Sequence, residues 1–356
     1  MSAMKPERMK CVRRISIEEE FNIDDENPIP PVPRGGARVK VCYAGATYSD
    51  MQVKNSGHKR PKMPGVLDTS LFPGFEVSGV VDEVCNTLTG EDIPKKGDKV
   101  VVYPGGENLP EVGYDEYIVV KDVANLIAIP PSLDMQVASL LPTGALLAYA
   151  AISKARPFVR EKVQSNTGVA NVLIVGGGGL GLWTLLMAKH YIGENDHQVH
   201  VTVADTSIEK LMVAKEYGCY DVIHWNDAIH EEYIRERTKD VCRGGVHVVI
   251  DFVSSPRTIK RSLKVLKEEG VLIVGGNAKY EVTFNLNTLA TRNQSVLGVS
   301  RGSRKQLQEL VDLYAEGTLQ PPPYSVFPVA EANKVFSELG QCKISGRAIL
   351  QVCPEE

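Results

Sequence analysis

A chain of 356 residues with 43% apolar and 24% charged residues is ordinary globular usage, and its 40 Lys and Arg against 44 Asp and Glu leave a formal charge of −4. That balance gives no reason to expect nucleic acid or an anionic membrane as a partner. The longest apolar runs are about ten residues, too short to cross a bilayer. The length favours two domains. The seven cysteines (11, 42, 85, 219, 242, 342 and 353) are scattered and form no CxxC pair, which argues against a disulfide framework or a thiolate metal cluster. The charged opening MSAMKPERMK has no apolar core, so no secretory signal is expected and a cytoplasmic protein is.

In chain order, the first 145 or so residues read as β-rich. Ala37–Gly45 alternates Val39, Val41 and Tyr43 against polar or small residues, and Val77–Val84 and Lys99–Tyr103 are further β-branched runs. Gly and Pro punctuate them, and Pro130-Pro131 closes the region. From Asn171 short apolar strands alternate with helical stretches. Strands are expected at 171–175, 199–204, 222–224, 246–252, 270–274 and 295–298, and helices at 180–191, 208–217 and 304–316. That alternation implies βαβ units and a parallel sheet covered on both faces. Ser345–Val352 reads as a strand returning to the first domain.

Residues 172–181, VLIVGGGGLG, end a strand and open a helix. Gly176, Gly178 and Gly181 satisfy G-x-G-x-x-G. The first permits the tight turn, the second lets backbone approach a pyrophosphate, and the third packs helix on strand. Gly179 and Leu180 complete the first turn, whose N–H groups suit an anion. Asp205 ends the next strand, 24 residues after Gly181. Its carboxylate suits both ribose hydroxyls and would repel a 2′-phosphate, so NAD(H) is expected over NADP(H). Lys210 lies within reach of the same ribose. The alternative is a tight turn alone, with Asp205 capping the following helix.

These features, with AGATYSD at 44–50, PGFEVSGVV at 73–81, KGDKVVV at 96–102, LLPTGALLAY at 140–149, GGVHVVIDFV at 244–253, GVLIVGG at 270–276 and ISGRAIL at 344–350, resemble the medium-chain dehydrogenase/reductase superfamily. The resemblance implies an α/β chain with a GroES-like β-rich catalytic domain at 1–146 and 300–356. A Rossmann doubly wound parallel-sheet domain takes 147–299, the active site is expected between the two, and a homodimer or homotetramer is expected. In the zinc-dependent branch a Cys, a His and a second Cys hold the metal. Here those positions are Thr47, Phe75 and Thr143, and no cysteine lies between Lys99 and Lys121 for a structural zinc lobe. No zinc is therefore expected.

The resemblance also assigns site residues. Asp50 and Glu76 match the zinc enzymes' outer carboxylates. Without a metal they either organise hydrogen bonds, act in proton transfer, or form a satisfied polar pair. Ser49 takes the proton-relay position, flanked by Thr47 and by Tyr48, the latter a hydrogen-bond donor to the substrate oxygen or a wall contact. Val253 is expected near the adenosine ribose, Val274 and Gly275 along the nicotinamide, and Arg347 at the pyrophosphate. The expected activity is zinc-independent, NAD(H)-linked hydride transfer to a small molecule. Enones or quinones come first and a secondary alcohol/ketone pair second, with a non-catalytic NAD-binding sensor or structural protein as the rival.

Overall fold

Short runs of Val and Ile between Gly, Pro and Asp turns build most of the first unit, Met1–Thr143 with Ser303–Glu356. The computed structural model describes residues 8–13, 20–46, 76–88, 90, 93–105, 113–164, 168–192, 198–275, 281–341, 343–344 and 346–355. Strands β1 (Arg8–Arg13) and β2 (Asn22–Pro28) pair antiparallel. Then come β3 (Ala37–Ala46), β4 (Val77–Val84), β5 (Lys99–Val102), β6 (Tyr117–Val120), β7 (Leu126–Ala128) and the short helix α1 (Met135–Ser139). Asp134 caps α1 through the Gln136 N–H at 2.7 Å. A π turn over Leu141–Ala145 follows and carries Thr143.

The second unit, Gly144–Gly302, is wound differently. Its elements are α2 (Leu146–Gln164), β8 (Ala170–Val175), α3 (Gly179–Tyr191), β9 (Val199–Asp205), α4 (Ile208–Glu216) and β10 (Asp221–His224), then α5 (Glu231–Val241), β11 (Val246–Asp251), α6 (Pro256–Val265), β12 (Leu266–Val274), α7 (Leu286–Thr291) and β13 (Ser295–Gly298). All six strands are parallel, in the order β10-β9-β8-β11-β12-β13. Strands β8 and β11 are buried along their whole length, which is why they read as Val- and Ile-rich runs rather than alternating ones. The chain winds outward from β8 to β10, then restarts at β11 and winds the other way. Strand order therefore reverses between β8 and β11, the place where open α/β sheets bind ligands at the strands' carboxyl ends. This is the Rossmann half of the α/β fold.

The chain then returns to the first unit through α8 (Arg304–Ala315), β14 (Tyr324–Pro328), α9 (Ala332–Gly340) and β15 (Arg347–Gln351). Ser303 and Gln306 form a capping box at the start of α8. β15 pairs antiparallel with the carboxyl half of β3, while β6 pairs with its amino half and β4 lies along the other edge. The resulting sheet, β14-β15-β3-β4-β5-β7 with β6 added at β3, is the GroES-like half. Its core gathers Val39, Val41, Val81, Val100, Ile118 and Leu350, with Phe336 of α9 against Tyr114 and Phe21 at 5.8 and 4.9 Å between ring centres.

Candidate cofactor turn and buried carboxylate

The glycine turn lies where β8 ends. Gly176 has φ +101°, in the region glycine tolerates. A Cβ on Gly181 would lie 1.8 Å from the Gly176 carbonyl oxygen, so the helix can start this close to its strand only with glycine there. Helix α3 begins at once, with the Leu182 N–H donating to the Gly178 carbonyl at 2.9 Å. No side chain caps it: Gly178 is the cap residue. The N–H groups of Gly179, Leu180 and Gly181 have no acceptor in the preceding turn, which makes this helix end attractive to an anion. Gly181→Ala is expected to lower the melting temperature by roughly 3–10 °C, since overpacking against rigid backbone costs about 1–3 kcal/mol. Calorimetry checks this, and an unchanged melting temperature would contradict the packing.

Asp205 closes the turn from the next strand. Its carboxylate accepts the Gly177 N–H at 2.7 Å and the Ser207 N–H at 2.8 Å. A carboxylate has about four acceptor positions, so about two remain for a ligand. The Lys210 Cβ and carbonyl lie against Gly177, and the Lys210 N–H is held by the Ser207 hydroxyl. Across the sheet, Val253 is half-exposed and within 3.2 Å of where a Gly176 Cβ would sit. Val274 ends β12 in register with Asp251, and the Gly275 N–H donates to the Asp251 carbonyl at 3.0 Å.

Two residues that bind this edge together have no sequence signature. Asp251 is fully buried, and its carboxylate accepts the Val253 and Ser254 N–H groups at 2.9 and 2.8 Å. Burial pushes its carboxyl pKa up. Ser254 is held at φ +51°, and its hydroxyl donates to the Gly275 carbonyl at 3.0 Å. The pair thus fixes the exits of β11 and β12 to one another. A serine in a left-handed conformation carries no local motif that would have revealed it.

The first unit contributes a separate feature. Glu76, at the foot of β4, is fully buried. One carboxylate oxygen accepts from the Thr143 hydroxyl and the other from the Arg347 guanidinium. A Cβ on Gly45 would collide with the Glu76 carboxylate, so glycine there makes the room. Buried Tyr114 donates to the Gly45 carbonyl at 3.0 Å and fixes that backbone. Arg347, expected at a pyrophosphate, is found in this ion pair, and its Nε has no hydrogen-bond partner. Thr47, Tyr48, Ser49 and Asp50 lie outside the described residues. The buried acid is thus held by a cation and a hydroxyl.

Comparison with known proteins turns this arrangement into a family assignment. Residues 33–131 match the alcohol dehydrogenase GroES-like domain, and residues 179–316 match the zinc-binding dehydrogenase domain. The chain belongs to the medium-chain dehydrogenase/reductase superfamily. The match described as zinc-binding covers the nucleotide-binding half and none of positions 47, 75 and 143. The chain is 26% identical to an NAD-dependent alcohol dehydrogenase of Sulfolobus acidocaldarius, over 97% of this chain and 100% of that one. It is also 26% identical to a D-arabinose 1-dehydrogenase (NADP(+)) of Saccharolobus solfataricus, over 93% and 94%. The crystal structure of the alcohol dehydrogenase from Aeropyrum pernix shares the fold, with a TM-score of 0.78 at 24% identity over 96% of this chain and 99% of that one. As a member of this superfamily the chain is an NAD(P)-dependent oxidoreductase by descent. Among the described residues no helix is long and apolar enough to cross a membrane.

Proposed function

We propose that this chain is a zinc-independent, NAD(H)-linked reductase of small conjugated carbonyl compounds, enones or quinones. A secondary alcohol/ketone pair is the second substrate class. The observation that carries this reading is the state of Glu76. Its oxygens accept from Thr143 and Arg347, and Thr143 stands at one of the positions where zinc members of the superfamily place a ligand. A neutral threonine hydroxyl that donates to this carboxylate is a poor ligand for a divalent cation. Phe75 has no atom that can ligate one.

The nicotinamide, when bound, supplies the hydride. The chain's own work is to hold the dinucleotide and to quiet negative charge on the substrate oxygen. In an enone or quinone, hydride addition at carbon sends the electron pair to oxygen through the conjugated system, so hydroxyl donors suffice where a simple alcohol would need a Lewis acid. Ser49, Tyr48 and Thr47 are the proposed donors and proton source, with Asp50 and Glu76 setting their hydrogen bonds. Gly176, Gly178, Gly179, Leu180 and Gly181 cradle the pyrophosphate, Asp205 and Lys210 hold the adenosine ribose, and Val253, Val274 and Gly275 line the rest. Asp205 supports NAD(H) over NADP(H), because a 2′-phosphate would bring its negative charge against the carboxylate. The same reading makes the protein a cytoplasmic homodimer or homotetramer.

The test is steady-state turnover by chelator-treated protein with NADH and NADPH against enones, quinones and aldehydes. Saturable enone or quinone reduction is expected, with kcat/KM for NADH at least about tenfold above NADPH, a difference of roughly 1.4 kcal/mol. Activity that disappears on chelation and returns with zinc would refute the metal-free reading. NADH binding without reduction of any acceptor would favour the non-catalytic alternative.

A further inference from the structure

Where β9 gives way to α4, two carboxylates grip one serine. Ser207 caps α4, its hydroxyl accepting the Lys210 N–H at 3.3 Å. Asp205 accepts the Ser207 N–H at 2.8 Å, and Glu209 accepts the Ser207 hydroxyl at 2.6 Å. That bond, with one from its own backbone N–H, holds the Glu209 carboxyl below its ordinary pKa. Because a single residue joins them, the two carboxylates lie within about one Debye length of each other, roughly 10 Å at 0.1 M salt.

The amino end of a helix ordinarily attracts a phosphate, through N–H groups that have no partner in the preceding turn. At α4 the chain itself takes those donors. The Ser207 N–H goes to Asp205, the Lys210 N–H to the Ser207 hydroxyl, and the Glu209 N–H to its own carboxylate. The His224 ring, in register with Asp205 on β10, is bonded at Nε2 to the Thr206 carbonyl at 2.9 Å. Helix α3, which follows the neighbouring strand β8, has no capping side chain at all. One helix end is thus open to a phosphate, and the other already holds an anion that belongs to the chain.

Resting on the NAD(H) reading above, we propose that Glu209 is a further cofactor-selecting residue, so that NADPH is excluded by two carboxylates and not by Asp205 alone. A 2′-phosphate would extend from the ribose hydroxyl that Asp205 accepts. The donors next to that carboxylate are the Ser207 N–H and hydroxyl, and both are engaged. A neutral 2′-hydroxyl loses nothing by Glu209. A phosphate there meets a second negative charge and finds the α4 donors occupied. Lys210, the cation proposed at the same ribose, sets one positive charge against two negative ones.

The experiment is calorimetric titration of the full-length protein with NADH and with NADPH. The parent is expected to bind NADH about tenfold or more tighter. Glu209→Gln keeps an oxygen acceptor for Ser207 but removes the charge, and should tighten NADPH about threefold, the size of one charge at a helix end. Glu209→Ala also releases the Ser207 hydroxyl and should tighten NADPH about fivefold or more. Both should leave NADH within about twofold, because its 2′-hydroxyl carries no charge. Glu209 is exposed, so both variants should fold. Glu216→Gln, at the carboxyl end of the same helix, changes the net charge equally and should not move the ratio of the two affinities. In Asp205→Ser, NADPH should still lag NADH, and adding Glu209→Ala should bring the two level. A ratio that Glu209→Ala leaves at the parent's value, or that Glu216→Gln moves as far, would overturn the role of Glu209 while NADH binding stands. NADPH level with NADH in Asp205→Ser alone would do the same. A parent that binds neither dinucleotide would overturn the NAD(H) reading, and this assignment with it.

Discussion

Glu76→Ala is expected to destabilise the first unit by roughly 3–5 kcal/mol, the cost of leaving one half of a buried ion pair without the other. Glu76 is fully buried and Arg347 is 9% exposed. Removing the carboxylate strands the guanidinium in the core and takes the acceptor from the Thr143 hydroxyl. The loss should barely respond to salt, because ions do not screen charges that water does not reach. Replacing both partners, Glu76→Met with Arg347→Met, should recover most of it, since two apolar side chains of similar volume leave no charge to solvate. Urea unfolding of the three proteins at pH 7 decides the matter. A midpoint for Glu76→Ala equal to that of the parent protein would mean that the pair is not formed in solution.

How much of this was legible in the sequence depended on the range of the interaction. The glycine turn is a local object. Strand, turn and helix follow one another between Ala170 and Tyr191, and steric rules there fix which residue types are allowed, so 172–181 is readable as it stands. The parallel strands are likewise marked by short runs rich in Val, Ile and Leu. Strand β12 was only half visible: 270–274 reads as a strand, but its start at Leu266 and the excursion at 267–270 depend on β11 beside it. The hairpin of β1 and β2 has no signature in the sequence, because NIDDENP is exposed over most of its length and has no alternation to display. The Glu76 cluster was hardest to foresee. Glu76 and Arg347 each stand out in the sequence, but their meeting spans 271 positions and requires β15 to return beside β3. Thr143 was visible only as a missing ligand. Its role as a donor follows from the π turn that carries it, and helix-like sequence does not announce a π turn.

His247 makes the second unit acid-sensitive. Burial, reinforced by the positive charges of Lys267 and Lys162, lowers its pKa from 6.5 to about 4. The Asn171 N–H aimed at Nδ1 opposes protonation of that nitrogen as well. The unfolded chain takes up the proton at its ordinary pKa and the folded chain does not. The residue's full contribution to stability is therefore present above pH 6.5, and it is lost as pH falls through 6.5 toward 4. That loss is roughly 3 kcal/mol. His247→Asn keeps an oxygen acceptor for the Asn171 N–H but cannot take the proton. Stability measured by urea at pH 7, 6, 5 and 4 should fall less steeply in this variant than in the parent protein, the gap opening below pH 6.5. Carboxylates elsewhere weaken both proteins alike in acid, so the difference isolates the imidazole. NMR titration of the ring in the unaltered protein gives the same answer without a variant: a ring that titrates near 6.5 is not held as the fold implies, and the gap between the two curves should then be absent.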